Sequence, residues 1–443
     1  MFLSESWEHY DLEKLGGVSM LIWIAASIFL LSYFLIILEK FPRAVIAISG
    51  ASLMIILGVL TQDKAVKHID WNTLGLLIGM MLIVDLTRRS GIFSFLAVWV
   101  SKKVKGNPAM LLISLSLLTG ILSALLDNVT TVLLIVPITL SIADELEVDP
   151  IPFLFCQILM SNIGGTATLI GDPPNIMIAG QTGLSFLDFI INLLPIILII
   201  IVATLSVLYL FYRRKLTTGE DLKHKLMMQN EWEQIKDFSL LKKCLVILGL
   251  VILAFSLHSL LHLETATIAL SGAMLLMLWT HEEPEDIFLA VEWPTLFFFA
   301  GLFVLVGGLV ETGILDYLAK GSMSLTGGNP LLTTLSILII SALLSSFLDN
   351  IPYVATMIPL IQKLAELSHL TPAQTQPLWW ALALGACLGG NGTLVGASAN
   401  LIVAGIAVKN GLKIRYIQFF KVGFPMMLLS IIISAGYLVL RYY

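Results

Sequence analysis

Charged residues are scarce in this chain. Only 12% of its 443 residues are Asp, Glu, Lys or Arg, about half of what a soluble domain carries, and that shortage excludes an ordinary water-soluble fold. Hydrophobic residues make up 58%, and the mean hydropathy is +0.94. Cysteine is scarce as well: Cys156, Cys244 and Cys387 lie far apart in apolar sequence, with no CxxC or Cys/His grouping. That spacing offers neither a disulfide framework nor a metal site, so the three read as small buried side chains. Catalytic motifs are missing too. There is no Walker A loop and no GxSxG, and His281-Glu282-Glu283 lacks the second histidine of HExxH. Gly171-Asp172 has no second matching aspartate motif. Neither an enzyme nor an ATPase is expected, and neither a resident cofactor nor a nucleic-acid partner.

What the chain has instead is long apolar runs, and a crossing of the bilayer takes about 20 such residues. Crossings are expected near 20–38, 44–61, 72–87, 151–180 and 185–212, and again near 243–261, 265–280, 294–310, 377–405 and 416–440. Between the third and fourth crossing of each set lies an apolar–polar–apolar segment, 108–143 and 330–366, each with an Asp-Asn pair at its centre: SALLDNVTTVLLIVP (Ser123–Pro137) and SSFLDNIPYVATMIP (Ser345–Pro359). These fit re-entrant hairpins, since irregular backbone at membrane depth is tolerated where protein or a water-filled cavity surrounds it. A charge at the centre of a membrane segment costs ~3 kcal/mol on insertion scales and is a functional candidate by default.

The two segments are copies. Asp127 and Asp349 are 222 residues apart, and so are Ser49-Gly50-Ala51 and Ser271-Gly272-Ala273, Trp71 and Trp293, Gly79 and Gly301, Gly91-Ile92 and Gly313-Ile314, and Gly106-Asn107-Pro108 and Gly328-Asn329-Pro330. Beyond the hairpins the offset becomes 225, where GGTATLIGDPPNIMIAG (Gly164–Gly180) matches GGNGTLVGASANLIVAG (Gly389–Gly405). The chain is a duplication. Five crossings per half is an odd number, so the halves are expected to be inverted. The fold expected is an all-α polytopic membrane protein of two inverted repeats, each of five transmembrane helices plus one re-entrant hairpin. Its segments would be an N-terminal extracytoplasmic tail (1–19), repeat 1 (20–212), a cytoplasmic linker (213–242) and repeat 2 (243–443). The acidic tail lacks the basic start of a secretory signal, so the first apolar run is expected to remain as a helix.

Loop charge tests this topology independently. It gathers on one face all but six of the 25 Lys and Arg, leaving Lys14, Lys64, Lys67, Lys320, Lys363 and Arg441 on the other. The rich face is cytoplasmic by the positive-inside rule, which places both termini outside and the protein in a plasma or inner membrane. The polar stretch Arg213–Lys243 either lies as an amphipathic helix on anionic lipid or is a solvated linker.

The fourth crossing of each half is interrupted. Gly164-Gly165-Thr166-Ala167-Thr168 with Gly171-Asp172-Pro173-Pro174-Asn175, and Gly389-Gly390-Asn391-Gly392-Thr393 with Gly396-Ala397-Ser398-Ala399-Asn400, do not continue a regular helix. Broken helices expose carbonyls and helix ends at the midplane, where they can hold small ions. Each hairpin tip is expected to face its neighbouring break. The candidate ion- and substrate-binding residues are Asp127, Asn128, Thr130, Gly164, Gly165, Thr166, Asp172 and Asn175 in the first half. In the second they are Asp349, Asn350, Gly389, Gly390, Asn391, Thr393, Ser398 and Asn400. Oxygen ligands suit a hard cation, and Asp127, Asn128, Thr166 and Asp172 are the Na⁺ candidates. No Lys or Arg lies between Lys105 and Arg213 to neutralise Asp127 and Asp172 locally. Gly79, Gly301 and Gly307-Gly308 read as close-packing residues; Thr131, Thr168 and Thr356 read equally well as hydroxyls bonded back to their own helix. Asp85 and Glu311, near helix ends, read as interface charges.

The hairpin and broken-helix pairs resemble the ion transporter superfamily that includes arsenite permeases, sodium/proton antiporters and divalent-anion/sodium symporters. The stretches DNIPYVATMIP, ALGACLGGNGTLVGASANLIVAGIA and FFKVGFPMM are similar to the C-terminal signature of the pigment-cell P protein and its prokaryotic relatives. The resemblance implies a scaffold domain, a transport domain carrying both hairpins, elevator-type movement and a homodimer. In the symporter branch the tips read Ser-Asn-Thr; here they read Asp127-Asn128-Val129 and Asp349-Asn350-Ile351, a change that favours cation or proton handling over a doubly charged anion. The function expected is secondary active transport coupling Na⁺ or H⁺ to a small inorganic or organic anion or a metalloid, with Na⁺/H⁺ antiport and anion conduction as alternatives. Because Asp172 and Pro173-Pro174 face Ala397 and Ser398-Ala399 in the alignment, the first half suits the cation and the second a less charged or anionic group.

Overall fold

The computed structural model describes the backbone of residues 5–38 and 40–443, and side chains from residue 20 onward except 39, 259 and 325. The first half runs α1 (Glu5–Leu38), α2 (Arg43–Ile56), α3 (Gln62–His68), α4 (Trp71–Arg89), α5 (Ile92–Lys103), α6 (Pro108–Leu125), α7 (Asn128–Glu145), α8 (Ile151–Gly165), α9 (Pro173–Thr182) and α10 (Phe186–Tyr212). The linker holds α11 (Glu220–Met227) and a 3₁₀ turn, Glu231–Gln234. The second half runs α12 (Phe238–Leu261), α13 (Thr265–Thr280), α14 (Pro284–Phe288), α15 (Trp293–Glu311), α16 (Ile314–Thr326), α17 (Pro330–Phe347), α18 (Asn350–Leu367), α19 (Pro372–Gly389), α20 (Ser398–Lys409) and α21 (Tyr416–Tyr442). Among the described residues there is no strand, and eight helices are long and apolar enough to cross a membrane, or nine if α3 and α4, bent by 53°, count as one broken span. The helix α1 starts at Glu5, inside the stretch read as a tail; residues 1–4 lie outside the described ones.

The duplication reaches elements that composition did not reveal. The starts of α2 and α13, α3 and α14, α4 and α15, α5 and α16, α6 and α17, and α7 and α18 are each 222 residues apart. Helices α3, α5, α14 and α16 are short, and α5 and α16 escape an apolar-run count because they open on a turn. Gly91 (φ 86°) and Gly313 (φ 75°) cap them in the left-handed region, where a side chain is strained. The Gly-Ile pairs seen in the sequence mark those two turns.

The chain forms two compact units. One comprises residues 1–74, 292–333 and 355–375, and the other 75–291, 334–354 and 376–443. In the first unit α15 lies on α2, where a Cβ at Gly301 would sit 2.6 Å from the Ala47 carbonyl carbon. Tyr33 and Thr356 share a hydroxyl hydrogen bond of 2.7 Å, and Glu311 pairs with Lys64 and, at 3.3 Å, with His68. In the second unit α4 lies on α13 in the mirrored way, a Cβ at Gly79 falling 2.5 Å from the Ala269 carbonyl carbon. The two glycines and the two alanines are related by the same 222-residue offset, so glycine is required at both for backbone-to-backbone packing. Asp85 pairs with Arg88 and, at 2.9 Å, with Arg89.

The linker packs against neighbouring helices of the second unit. Leu226 is buried, Thr218 Oγ1 donates to the Leu146 carbonyl at 2.6 Å, and Gln229 Nε2 donates to Glu145 at 2.6 Å. Lys102 of α5 donates to the Gln229 carbonyl at 2.8 Å and pairs with Glu231, while the Trp232 ring packs between Phe95 and Phe238. Its polar composition reflects an exposed outer face; the docking face is too short to register as apolar periodicity.

Candidate functional site

Both Asp-Asn tips and both helix breaks lie in the second unit. Each tip is tied to its own break by equivalent bonds. Ser123 Oγ donates to the Ser161 carbonyl at 2.6 Å, and Ser345 Oγ to the Ala386 carbonyl at 2.6 Å. From the other side, Thr168 Oγ1 donates to the Ala124 carbonyl at 2.6 Å, and Thr393 Oγ1 to that of Ser346. Thr168 therefore does not bond back to its own helix; Thr131 is buried with no partner for its hydroxyl.

The glycines make these approaches possible. A Cβ on Gly164 would lie 2.1 Å from the Gly120 carbonyl oxygen, and one on Gly389 2.7 Å from that of Ala342. Across each break, a Cβ on Gly165 would meet the Gly171 oxygen at 2.5 Å, and one on Gly390 the Gly396 oxygen at 3.1 Å. The carbonyls freed by each break are gathered by one amide. Asn175 Nδ2 donates to Thr168, Thr166 and Gly165 oxygens at 2.8, 3.2 and 3.5 Å, and Asn400 Nδ2 to Thr393 and Gly390 oxygens at 2.9 and 2.8 Å. Buried polar backbone is satisfied in this way without regular helix.

The two halves meet through side chains that the sequence reading kept apart. Asn128 Nδ2 donates to Asn162 Oδ1 at 3.2 Å, and Asn162 Nδ2 donates to Asn391 Oδ1 at 2.9 Å and Asn400 Oδ1 at 3.0 Å. Asn391 in turn donates to the Leu159 carbonyl at 3.3 Å. In the other direction, Asn350 Nδ2 lies 3.3 and 3.4 Å from the two oxygens of Asp172. The second tip thus reaches across the duplication directly, and the first does so through Asn162. Asn162 was missed because SNIGG reads as a helix end. Its repeat partner is Cys387, whose Sγ lies 3.7 Å from Asn175 Oδ1, the equivalent of the Asn162–Asn400 contact. A polar residue two places before the Gly-Gly pair was the available signal.

The aspartates and the threonine grouped with Asn128 for Na⁺ have different partners. Asp127 is the N-cap of α7, accepting from Thr130 N at 2.8 Å and from the Thr130 hydroxyl, an arrangement that stabilises a helix start by itself. Thr166 Oγ1 bonds back to the Asn162 carbonyl at 2.7 Å. Asp172 is fully buried at the start of α9, where Pro173 and Pro174 carry no N–H and that of Asn175 donates to the Asp172 backbone carbonyl at 2.9 Å, so its carboxylate caps no N–H. Asp349 instead bridges tip and break, accepting from Ile351 N at 3.2 Å and from Ser398 Oγ at 2.7 Å. No cluster of three His, Cys, Asp or Glu is present among the described residues.

Paired hairpins set against broken helices in an all-helical, multi-pass chain define a membrane transporter. Residues 33–385 match the profile of CitMHS, described as citrate transporter, and the chain belongs to that family. It is 43% identical over 424 residues to an uncharacterized transporter of Mycobacterium bovis, covering 95% of this chain and 98% of that one. It is 34% identical over 510 residues to the P protein of Homo sapiens, covering 96% of this chain and 61% of that one. Among solved structures, the YdaH transporter of Alcanivorax borkumensis, whose topology is described as unusual, superposes with a TM-score of 0.59 at 13% identity, over 93% of this chain and 98% of the other. That likeness concerns the fold.

Proposed function

We propose that this transporter is secondary active, coupling Na⁺ or H⁺ to the movement of a small inorganic or organic anion or a metalloid by an elevator motion. The observation that carries the reading is Asp172: a fully buried carboxylate hydrogen-bonded by the amide of Asn350 and the thiol of Cys387, with no basic side chain bonded to it among the described residues. A carboxylate so placed is stable when a cation or proton joins it. Asp127 and Asp349 stand at the two tips of the same unit, so an anion entering there is opposed until cations neutralise the site. Co-binding of that kind is what coupling requires. The family description favours a citrate-like carboxylate, which needs this neutralisation most; a neutral metalloid needs it least.

The cation belongs with Asp127, Asn128, Thr166 and Asp172, and the substrate with the neutral amides and hydroxyls around Asn350, Asn391, Thr393, Ser398 and Asn400. The inverted topology accords with two ion pairs, Lys64 with Glu311 and Arg89 with Glu282 at 3.3 Å. Each joins helix ends that the loop-charge reading puts on one face. That reading also sets both termini outside a plasma or inner membrane, and a homodimer follows the superfamily pattern. Na⁺/H⁺ antiport is the second reading, favoured by three carboxylates, Asp127, Asp172 and Asp349, gathered at the tips and break of one unit. The test is uptake by proteoliposomes under imposed Na⁺ or H⁺ gradients with citrate, arsenite or chloride. Gradient-driven accumulation of one substrate supports the proposal; single-channel currents with no coupling refute it.

A further inference from the structure

Where the chain leaves α10, a cavity of about 450 Å³ opens between that exit and the first turn of α6. Its lining includes Arg213, Arg214, Thr217 and Lys223, with Pro108 at the hairpin base. Lys223 is tied to Glu220 at 2.6 Å, but neither arginine has a carboxylate partner among the described residues. Arg213 has only the Tyr209 ring, 5.8 Å from its guanidinium carbon. The first turn of α6 brings no negative charge to the cavity, and its N–H groups at Ala109 and Met110 donate to Asn107.

The chain that follows the two exposed arginines is anchored. Leu216 is buried and Thr218 is bonded to the Leu146 carbonyl, which pins the strand of chain immediately after them. They follow a 27-residue apolar helix whose last turn exposes Leu210 and Phe211, and Lys215 lies 4.3 Å from the Phe211 ring centre. This is the composition of a bilayer edge, with apolar and aromatic side chains on one side of a short boundary and cations on the other. In the second half Thr334, on α17, shares a hydroxyl hydrogen bond of 2.8 Å with Tyr443, just after α21.

We propose that this cavity binds a phosphate-bearing anion at the membrane boundary, Arg213 and Arg214 supplying the paired guanidinium donors. Planar guanidinium groups match phosphate oxygens in geometry and charge, and basic pockets between membrane helices recognise lipid head groups. An anionic phospholipid and free phosphate present the same group; the exposed apolar end of α10 beside the arginines favours the lipid.

The full-length protein in phosphatidylcholine nanodiscs tests this, with phosphatidylglycerol titrated in and bound lipid counted by native mass spectrometry. Loss of both arginines in R213Q/R214Q is expected to weaken phosphatidylglycerol binding ~30-fold, about 2 kcal/mol. The charge-matched control K236Q/K242Q, at exposed positions outside the cavity, is expected to bind as the wild type does. Displacement of the lipid by inorganic phosphate identifies the phosphate group as what the site reads, from either source. Binding that depends on the arginines but resists inorganic phosphate identifies the phospholipid itself. Equal binding by R213Q/R214Q and the wild type, or an equal loss in K236Q/K242Q, overturns the proposal.

Discussion

Asn162→Ala removes the side chain on which three others depend. Asn128 loses the acceptor for its amide, and the side-chain oxygens of Asn391 and Asn400 lose their donor. All four residues are buried. Leaving a buried amide group unpaired costs ~1–3 kcal/mol, so three at the lower bound come to about 3 kcal/mol. The partners that survive, the Leu159 carbonyl for Asn391 and the Gly390 and Thr393 carbonyls for Asn400, keep the second break in shape. The loss therefore falls on the link between the first tip and the second break. All three cysteines are buried, so a thiol-reactive fluorophore reports unfolding without an added label. The variant is expected to unfold several degrees below the wild type and to lose coupled uptake. Asn162→Cys, which copies Cys387 at the equivalent place, is expected to fall between the two. A double-mutant cycle of Asn162→Ala with Asn128→Ala isolates the direct bond and should return a coupling of ~1 kcal/mol. Additive effects, or wild-type melting with normal uptake in Asn162→Ala, would refute the hub.

Gly164→Ala drives a methyl group into the Gly120 backbone, which has no side chain to move aside, and overpacking of this kind costs ~1–3 kcal/mol or more. It should unfold at a lower temperature than Gly389→Ala, whose clash is milder, while Gly405→Ala, with open space around it, should melt as the wild type does. The bond from Lys102 holds the Glu231 carboxyl below its ordinary value of 4.5. A carboxylate with a lowered folded pKa stabilises the docked linker fully above its unfolded pKa and loses that contribution as pH falls through the lowered one. Hydrogen-exchange protection at Gln229–Trp232, taken relative to the intrinsic rate at each pH, should therefore hold at neutral pH and fall only below about pH 4.5, whereas Lys102→Ala should lower it at neutral pH. Asp349→Ala frees Ser398 from the second tip, and apparent substrate affinity is expected to fall about tenfold, measured as the KM of uptake with folded protein confirmed by melting.

The parts legible in the sequence were those set by expense or by strict backbone need. Asp127 and Asp349 were visible because charge in apolar sequence is costly, and the breaks because Pro173-Pro174 and the paired glycines interrupt a helix. The same offset that matched Gly79 to Gly301 located two backbone contacts, each joining one half of the duplication to the other. What escaped was decided by partners far away in the chain. Asn162 has three, two of them in the second half, and nothing in SNIGG specifies them. The linker looked solvated because Leu216, Leu226 and Trp232 are too few to form a periodic face, although they are enough to dock it.

The most direct test of the central claim is the Na⁺- or H⁺-driven accumulation of substrate in proteoliposomes carrying either the wild type or Asp172→Asn. If Asp172 takes up the coupling ion, the wild type concentrates substrate against its gradient and Asp172→Asn, equally folded, only equilibrates it. Accumulation by Asp172→Asn at the wild-type rate and to the wild-type level would contradict the account.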